Sequence, residues 1–261
     1  MNKLLLVDGC NLLFKAFFGI PEKLLPNGKP IHGVIGFIAI MAKIVKAVKP
    51  THVLVVFDPE EKSPRTDLYA QYKQNREDFS SKIDRENPFT QLADIKTALE
   101  SLNIKYVEQP GYEADDMIAS YVSQLSCEVV IVSSDTDFLQ LVGKRTTMFR
   151  YHGKKSLLFN ETVVQEKYGV HPSQFLEFKA LIGDKSDNID GIIGIGPKNA
   201  IKVLNGEREL TEKELEIFER NRSLIELNAG VELPYTLNQL LFTNKCRDFK
   251  AFQFLRNTGV L

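Results

Sequence analysis

Three short runs of aliphatic, largely β-branched residues each end at aspartate. Residues 3–7 (Lys-Leu-Leu-Leu-Val) run into Asp8 and residues 52–57 (His-Val-Leu-Val-Val-Phe) into Asp58; residues 128–133 lead into Asp135 and Asp137. Short, continuous apolar runs of this kind are strands buried on both faces, the pattern of a parallel sheet covered by helices. Between them lies helical spacing. Residues 33–48 place Phe37, Ile38, Met41, Ile44, Val45 and Val48 on one face; Leu92, Ile95, Leu99 and Leu102 form a second such stripe; a third, from near Glu113, carries Ile118, Tyr121, Val122 and Leu125. The alternation predicts an α/β fold whose mainly parallel sheet is flanked by helices. In such a sheet the carboxyl ends of the strands share one edge, where ligands bind. Asp8, Asp58, Asp135 and Asp137 therefore converge. Unneutralised, they would repel and raise one another's pKa. A divalent cation removes that conflict, and all-oxygen donors suit Mg²⁺ or Mn²⁺.

Two further acidic groups add to this set. In Gly111-Tyr112-Glu113-Ala114-Asp115-Asp116 a turn enters a helix, with Glu113 and Asp116 three apart on one face and Asp115 beside them. Acids in a first turn also complement the helix dipole, which is the plainer reading of any one of them. The second group is Gly183-Asp184-Lys185-Ser186-Asp187-Asn188. A calcium loop is ruled out by spacing, because neither Ile195 nor Lys198 is the glutamate required at the twelfth position. Alone it would be an Asp/Asn turn capping a helix. Together, Asp8, Asp58, Glu113, Asp115, Asp116, Asp135, Asp137, Asp184 and Asp187 exceed what one Mg²⁺ needs and fit two or more ions, the arrangement that hydrolyses phosphate esters.

Gly194-Ile195-Gly196-Pro197-Lys198-Asn199-Ala200 is a poor dinucleotide fingerprint, with Asn199 in place of the third glycine and no strand before it. As a turn between two helices it offers backbone N–H groups and a helix N-terminus to a phosphate, with Lys198 and Lys202 adjacent. That is a helix–hairpin–helix pattern, which grips a DNA backbone without reading sequence. A plain glycine turn is the alternative. Residues 60–87 form a polar excursion in which Arg65, Lys73, Arg76, Lys82 and Arg85 interleave with Tyr69, Tyr72 and Phe79. Such an insertion in an α/β domain is a functional flap or a disordered loop. From about His171 the pattern is helical without a convincing strand, and includes helices over residues 198–204, 212–227 and 235–241. A boundary falls near residues 168–172, dividing a unit at 1–170 from a helical unit at 171–261.

Cys10, Cys127 and Cys246 are far apart and form no CxxC pair, which argues against a disulfide framework or a Cys-rich zinc site and fits a reducing compartment. The N-terminal apolar run stops at Asp8, too early for a signal-peptide core, and the most apolar stretch carries Lys43 and Lys46, so no membrane span is expected. A cytoplasmic location is the expectation. His32, His52, His152 and His171 are scattered and read as structural or surface residues.

On these residues the sequence resembles the 5′-nuclease family: bacterial and phage flap endonucleases and the 5′→3′ exonuclease domain of DNA polymerase I. The resemblance is carried by Val7-Asp8-Gly9 with Asn11-Leu12-Leu13-Phe14, by Phe57-Asp58, by Tyr72-Lys73-Gln74-Asn75-Arg76, by Gly111 to Asp116, by Ser134-Asp135-Thr136-Asp137, by Gly183 to Asn188, and by Gly194-Ile195-Gly196. It covers nearly the whole chain. It implies a PIN-like core, a helical arch over about 60–87, and a C-terminal domain whose helix–hairpin–helix spans about 183–206. It implies cleavage of DNA at 5′ flaps and 5′ ends by two-metal-ion catalysis, leaving a 5′-phosphate and a 3′-hydroxyl, in replication and repair. Asp8, Asp58, Glu113 and Asp115 would serve mostly one ion, and Asp137, Asp184 and Asp187 mostly the second. Asp135 would lie between them, and Asp116 would bind directly or through water. Lys73 and Arg76 would engage the scissile phosphate, Tyr72 would stack on an unpaired base, and the hairpin would hold a monovalent cation such as K⁺. Lys15, the Pro59-Glu60-Glu61 stretch and Asp190 depart from the family's usual residues without touching a metal ligand. With no polymerase region following, a stand-alone nuclease is the expected form. Competing readings are a DNA-junction binding protein without turnover, a PIN-type ribonuclease and an aspartyl-phosphate phosphatase.

Net charge looks unhelpful to a nucleic-acid partner at first, since 33 basic residues face 34 acidic ones. Assigning nine acids to metal leaves 25 against 33, a basic body around an acidic centre, which suits a phosphate substrate.

Overall fold

The structure, a computed structural model, describes residues 2–59 and 65–243. The first residues of the expected arch (60–64) and the chain beyond 243, with Cys246, lie outside the described residues.

A six-stranded sheet forms the centre: β1 (Lys3–Asp8), β2 (His52–Phe57), β3 (Lys105–Glu108), β4 (Glu128–Val132), β5 (Thr146–Arg150) and β6 (Leu157–Phe159). Their spatial order is β3-β2-β1-β4-β5-β6; all pairs are parallel except the last. The three expected strands are the central ones. The other three escape an apolar-run reading because they are short and only partly buried; β3 buries Val107 alone.

The period-two alternation of the strands sorts side chains onto two faces. Leu5, Val7, Val53 and Val55 pack with α1 (Gly9–Gly19), α2 (His32–Val48) and α4 (Leu92–Ser101) through Leu12, Phe37, Ile44 and Ile95. Leu4, Leu6, Leu54, Val56, Val129 and Ile131 pack on the opposite side with α5 (Ala114–Gln124) and α7 (Phe175–Ile182) through Met117, Ile118, Tyr121, Phe175 and Phe178. This second core also takes in Ile192, Ile195 and Ala200, so the C-terminal helices share it. Between β2 and α4 the described part of the polar excursion holds one four-residue helix, α3 (Arg65–Leu68), followed by turns.

Beyond α6 (Glu161–Tyr168), α7 leads into a small antiparallel hairpin, β7 (Gly183–Asp184) and β8 (Ile189–Asp190), which the helical reading of this region did not anticipate. The hairpin is tight. Gly183 has φ +78°, and a Cβ there would lie 2.3 Å from Gly191 N; one on Gly191 would lie 2.2 Å from Ile182 O. Helices α8 (Pro197–Leu204) and α9 (Glu212–Ile225) follow. The helix expected over 235–241 is only a 3-10 turn at Leu237–Leu240: Leu241 bridges to His52 and Phe242 N donates to Thr51 O (2.8 Å), which draws the chain out of helix and onto the sheet. Among the described residues, no helix is long and apolar enough to cross a membrane.

Candidate metal centre

Strand order places the site. From β1 the chain moves outward to β2 and β3, then returns to β4 on the other side of β1, so the direction of winding reverses between β1 and β4. Such a switch point leaves a crevice at the carboxyl edge. Register then brings the acids into it: Val7 pairs with Val132 and Asp8 with Val56, so Asp8, Asp58 and the Ser133–Asp137 turn emerge side by side.

Each carboxylate is held by local geometry. Asp8 caps α1, its Oδ1 accepting from Asn11 N (3.0 Å) and its Oδ2 from Ser133 Oγ (2.7 Å). Ser133 Oγ also accepts from Asp135 N (3.0 Å), and Asp135 Oδ1 from Asp137 N (2.9 Å), which fixes that turn. Asp58 accepts from Ala114 N (2.9 Å), tying β2 to the start of α5, where Glu113 is the capping residue and Asp115 and Asp116 occupy the first turn. Asp184 ends β7 and accepts from Ser186 N (2.8 Å). Asp137, Asp184 and Asp187 are all buried and offer carboxylate oxygens within 4.8 Å of one another, the only such triple among the described residues. No histidine belongs to it.

Electrostatics divide the site. Burial, then Asp58 and Asp135, pushes the Asp8 carboxyl up to about 7. Burial, then Asp135 and Asp8, raises Asp115 well above the usual carboxylate range. Burial also raises Asp137 to about 7, against the opposing pull of Lys179. At Asp184 burial is outweighed by Lys179 and Ser186, and its pKa is lowered. Buried carboxylates in mutual repulsion are the condition a bound divalent cation relieves, and the donor set is wholly oxygen. The residues therefore fit divalent ions.

Four basic side chains reach these acids. Arg65 donates to Glu113 Oε2 and Asp116 Oδ1, both at 2.6 Å; Lys73 Nζ donates to Glu113 Oε2 (2.8 Å); Arg76 donates to Asp187 Oδ1 (2.8 Å); and Lys179 Nζ lies between Asp137 and Asp184. The arch segment is latched to the Asp184–Asn188 turn: Lys73 N donates to Asp187 O (3.0 Å), Asn75 to Lys185 O (3.0 Å) and Asn188 to Gln71 O (2.8 Å). The expected basic residues Lys73 and Arg76 thus sit over the acids.

Tyr72 differs from expectation. It is 4% exposed, packs with Ile189, Leu224 and Ile225, and donates its hydroxyl to Glu113 Oε2 (3.2 Å), so no ring face is presented to a base. Its β-turn position beside an apolar pocket of the C-terminal helices draws it inward. Asp116 is likewise committed, accepting from Asn228 N (2.8 Å) as well as from Arg65. At the hairpin, Gly194 has φ +81°, Asn199 Nδ2 donates to Gly194 O (2.8 Å), and Gly196 caps α8. Gly194, Gly196, Lys198 and Lys202 are all exposed, and Ile193 projects at 95% exposure.

Residues 3–169 match the 5′-3′ exonuclease N-terminal resolvase-like domain, and residues 170–214 match the 5′-3′ exonuclease C-terminal SAM fold. The chain belongs to the 5′-3′ exonuclease family. The 5′-3′ exonuclease of Aquifex aeolicus is 34% identical, with 92% of this chain matched to 82% of that protein. The DNA polymerase I of Caldicellulosiruptor bescii is also 34% identical, over 94% of this chain and 29% of its own length; that of Bacillus subtilis is 38% identical over 82% and 24%. The chain thus spans less than a third of these polymerases. Among solved structures, zinc-bound T5 5′-exonuclease has a TM-score of 0.70 at 21% identity, covering 98% of both chains, and human GEN1 in complex with Holliday junction DNA has 0.60 at 17%, covering 99% of this chain and 68% of that one. These likenesses confirm the fold: a mostly parallel sheet flanked by helices, with a helical C-terminal part. The family uses divalent metal.

Residue reading alone missed Lys179 and Arg65 as partners of the acids and Ser133 as the bridge between Asp8 and Asp135. A signal existed for Lys179: in residues 175–182 it is the one cation between Phe175, Phe178, Leu181 and Ile182. A lysine inside an apolar helix needs a buried counter-charge.

Proposed function

We propose that this chain is a divalent-metal-dependent 5′-nuclease that hydrolyses DNA phosphodiester bonds at 5′ flaps and 5′ ends, leaving a 5′-phosphate and a 3′-hydroxyl, in replication and repair in the cytoplasm. The observation that carries the reading is the convergence of buried and half-buried carboxylates from the ends of β1 and β2, the start of α5, the turn after β4 and the β7–β8 hairpin on one crevice. Asp8, Asp58, Glu113 and Asp115 would hold one Mg²⁺ or Mn²⁺, and Asp137, Asp184 and Asp187 a second, with Asp135 between the groups. Ions held there would acidify water near neutral pH and offset the charge of a phosphodiester. Lys73 and Arg76 already stand at the mouth of this crevice, on Glu113 and Asp187. Turning from these acids to an incoming phosphate, they would orient it. The exposed Gly194–Gly196 backbone with Lys198 and Lys202 would hold the duplex backbone, with K⁺ as a bridging ion. A nuclease domain at 1–170 and a DNA-gripping unit at 171–261 divide these tasks.

The test is cleavage of an end-labelled 5′-flap duplex with Mg²⁺ or Mn²⁺. Wild type is expected to cut and Asp135→Ala to lose at least about 100-fold. Flap binding in EDTA without turnover on adding metal, or undiminished cutting by Asp135→Ala, would refute the reading.

A further inference from the structure

The two groups of acids meet their cations differently. In the first, Arg65 and Lys73 reach Glu113 from the polar excursion, while Asp8 and Asp58, among the described residues, accept from the neutral donors Asn11 N, Ser133 Oγ and Ala114 N. Asp137 and Asp184 instead share the ammonium of Lys179, which is 5% exposed and also donates to Thr136 Oγ1 (3.3 Å). Lys179 arrives from the interior of α7, on the same turn as Phe178 and Ala180, and no other cation contacts Asp137 or Asp184 among the described residues. A buried ammonium is a compact point charge, so it can stand where a metal ion would draw the same oxygens together.

We infer that Lys179 is the resident counter-ion of the second metal position. It holds Asp137 and Asp184 together in the metal-free protein, and a second divalent ion has to displace it, so that ion binds more weakly than the first. The inference rests on the metal-centre reading proposed above. The displaced side chain has somewhere to go: a cavity of about 270 Å³ is bounded by Lys179 itself with Thr136, Lys167, Phe175, Phe178 and Ile182. Lys167 already lies over the Phe159 and Tyr168 rings, so rotation of the lysine tail moves the ammonium off the carboxylates and toward Phe175 and Phe178, whose faces tolerate a cation. Lys179 would then act on the reaction through metal occupancy, as a positioning residue rather than one that touches DNA.

Calorimetric and EPR titration of the metal-free protein with Mn²⁺, without DNA, tests this. Wild type is expected to bind a first ion tightly and a second about tenfold or more weakly, because the second meets a like charge in its site. Lys179→Met is expected to tighten the second ion about tenfold or more and leave the first within about twofold, while Lys179→Arg keeps the wild-type pattern. An unchanged or weakened second site in Lys179→Met overturns the inference. If that variant does not fold, Lys179→Gln and a substitution-free measurement decide: acetylation of Lys179, followed by mass spectrometry, is expected to be slow until the second equivalent of Mn²⁺ is added and fast after it. Protection that persists at saturating Mn²⁺ overturns the inference. Failure of wild type to bind any Mn²⁺ would overturn the metal-centre reading itself, a result distinct from two ions bound without regard to Lys179.

Discussion

Asp8→Asn should stabilise the metal-free protein while disabling the metal centre. Asp8 is 6% exposed, and its carboxyl is pushed from 3.8 to about 7, first by burial and then by Asp58 and Asp135. Because the folded value lies above the unfolded one, the folded state holds this proton more tightly. The resulting stability is full below about pH 4 and is lost as pH rises to about 7. The difference corresponds to about 4 kcal/mol near pH 8 and about 2 kcal/mol near pH 5. Asparagine removes the ionisation and keeps the acceptor for Asn11 N, but it forfeits the bond from Ser133 Oγ, at about 1 kcal/mol. The net gain is therefore about 3 kcal/mol near pH 8 and about 1 kcal/mol near pH 5, or roughly 6–12 °C and 2–4 °C in Tm for a chain of this size. Thermal melts followed by circular dichroism in EDTA, at both pH values, measure it. Saturating Mn²⁺ should raise the Tm of wild type more than that of Asp8→Asn, which keeps only the Asp137, Asp184 and Asp187 position, narrowing or reversing the gap. A Tm difference between the two proteins that does not change with pH would refute the reasoning, since it would mean that Asp8 is not carrying an unrelieved charge.

Other expectations follow from the same geometry. Gly183→Ala should cost about 3 kcal/mol or more, read as a loss of Tm or of soluble protein, because its Cβ would sit 2.3 Å from Gly191 N at φ +78°. Gly196→Ala meets nothing within 4 Å, so its Tm should stay within about 2 °C of wild type, and a several-fold loss of duplex DNA affinity in a fluorescence-anisotropy titration would locate the DNA backbone at this turn. Arg65→Met removes the cation that Asp116 contacts and one of those on Glu113; it should lower stability in EDTA by about 3 kcal/mol, and saturating Mn²⁺ should return part of that loss.

Much of the chemistry was legible in the chain. Apolar runs ending at Asp8, Asp58 and Asp135 fix which residues leave the sheet at its carboxyl edge, because a buried strand has to stop where its first unpaired charge appears. Gly111–Asp116 and Gly183–Asn188 declare two more acid-bearing turns through glycine and aspartate spacing. The outer strands β3, β5 and β6 were not legible: segments of three to five residues that are only partly buried are too short to show a period, and β6 leaves Leu157 and Leu158 exposed. The 235–241 segment has helical spacing, yet its pairing with the start of β2 outweighs local preference.

Sequence by itself determined that this chain must gather carboxylates at a sheet edge and that they need a counter-charge. Only the tertiary structure decided which counter-charge each receives. β1 lies at the switch point, so Asp8 is enclosed among like charges and neutral donors, while α7 threads Lys179 between Asp137 and Asp184, and the latched arch lowers Arg65, Lys73 and Arg76 onto Glu113, Asp116 and Asp187. Those cations come from positions 40 to 111 residues away from their partners, apart from the local Lys179–Asp184 pair, and no local pattern encodes a contact at that separation. Packing of the second core against α7 and α9 sets it instead.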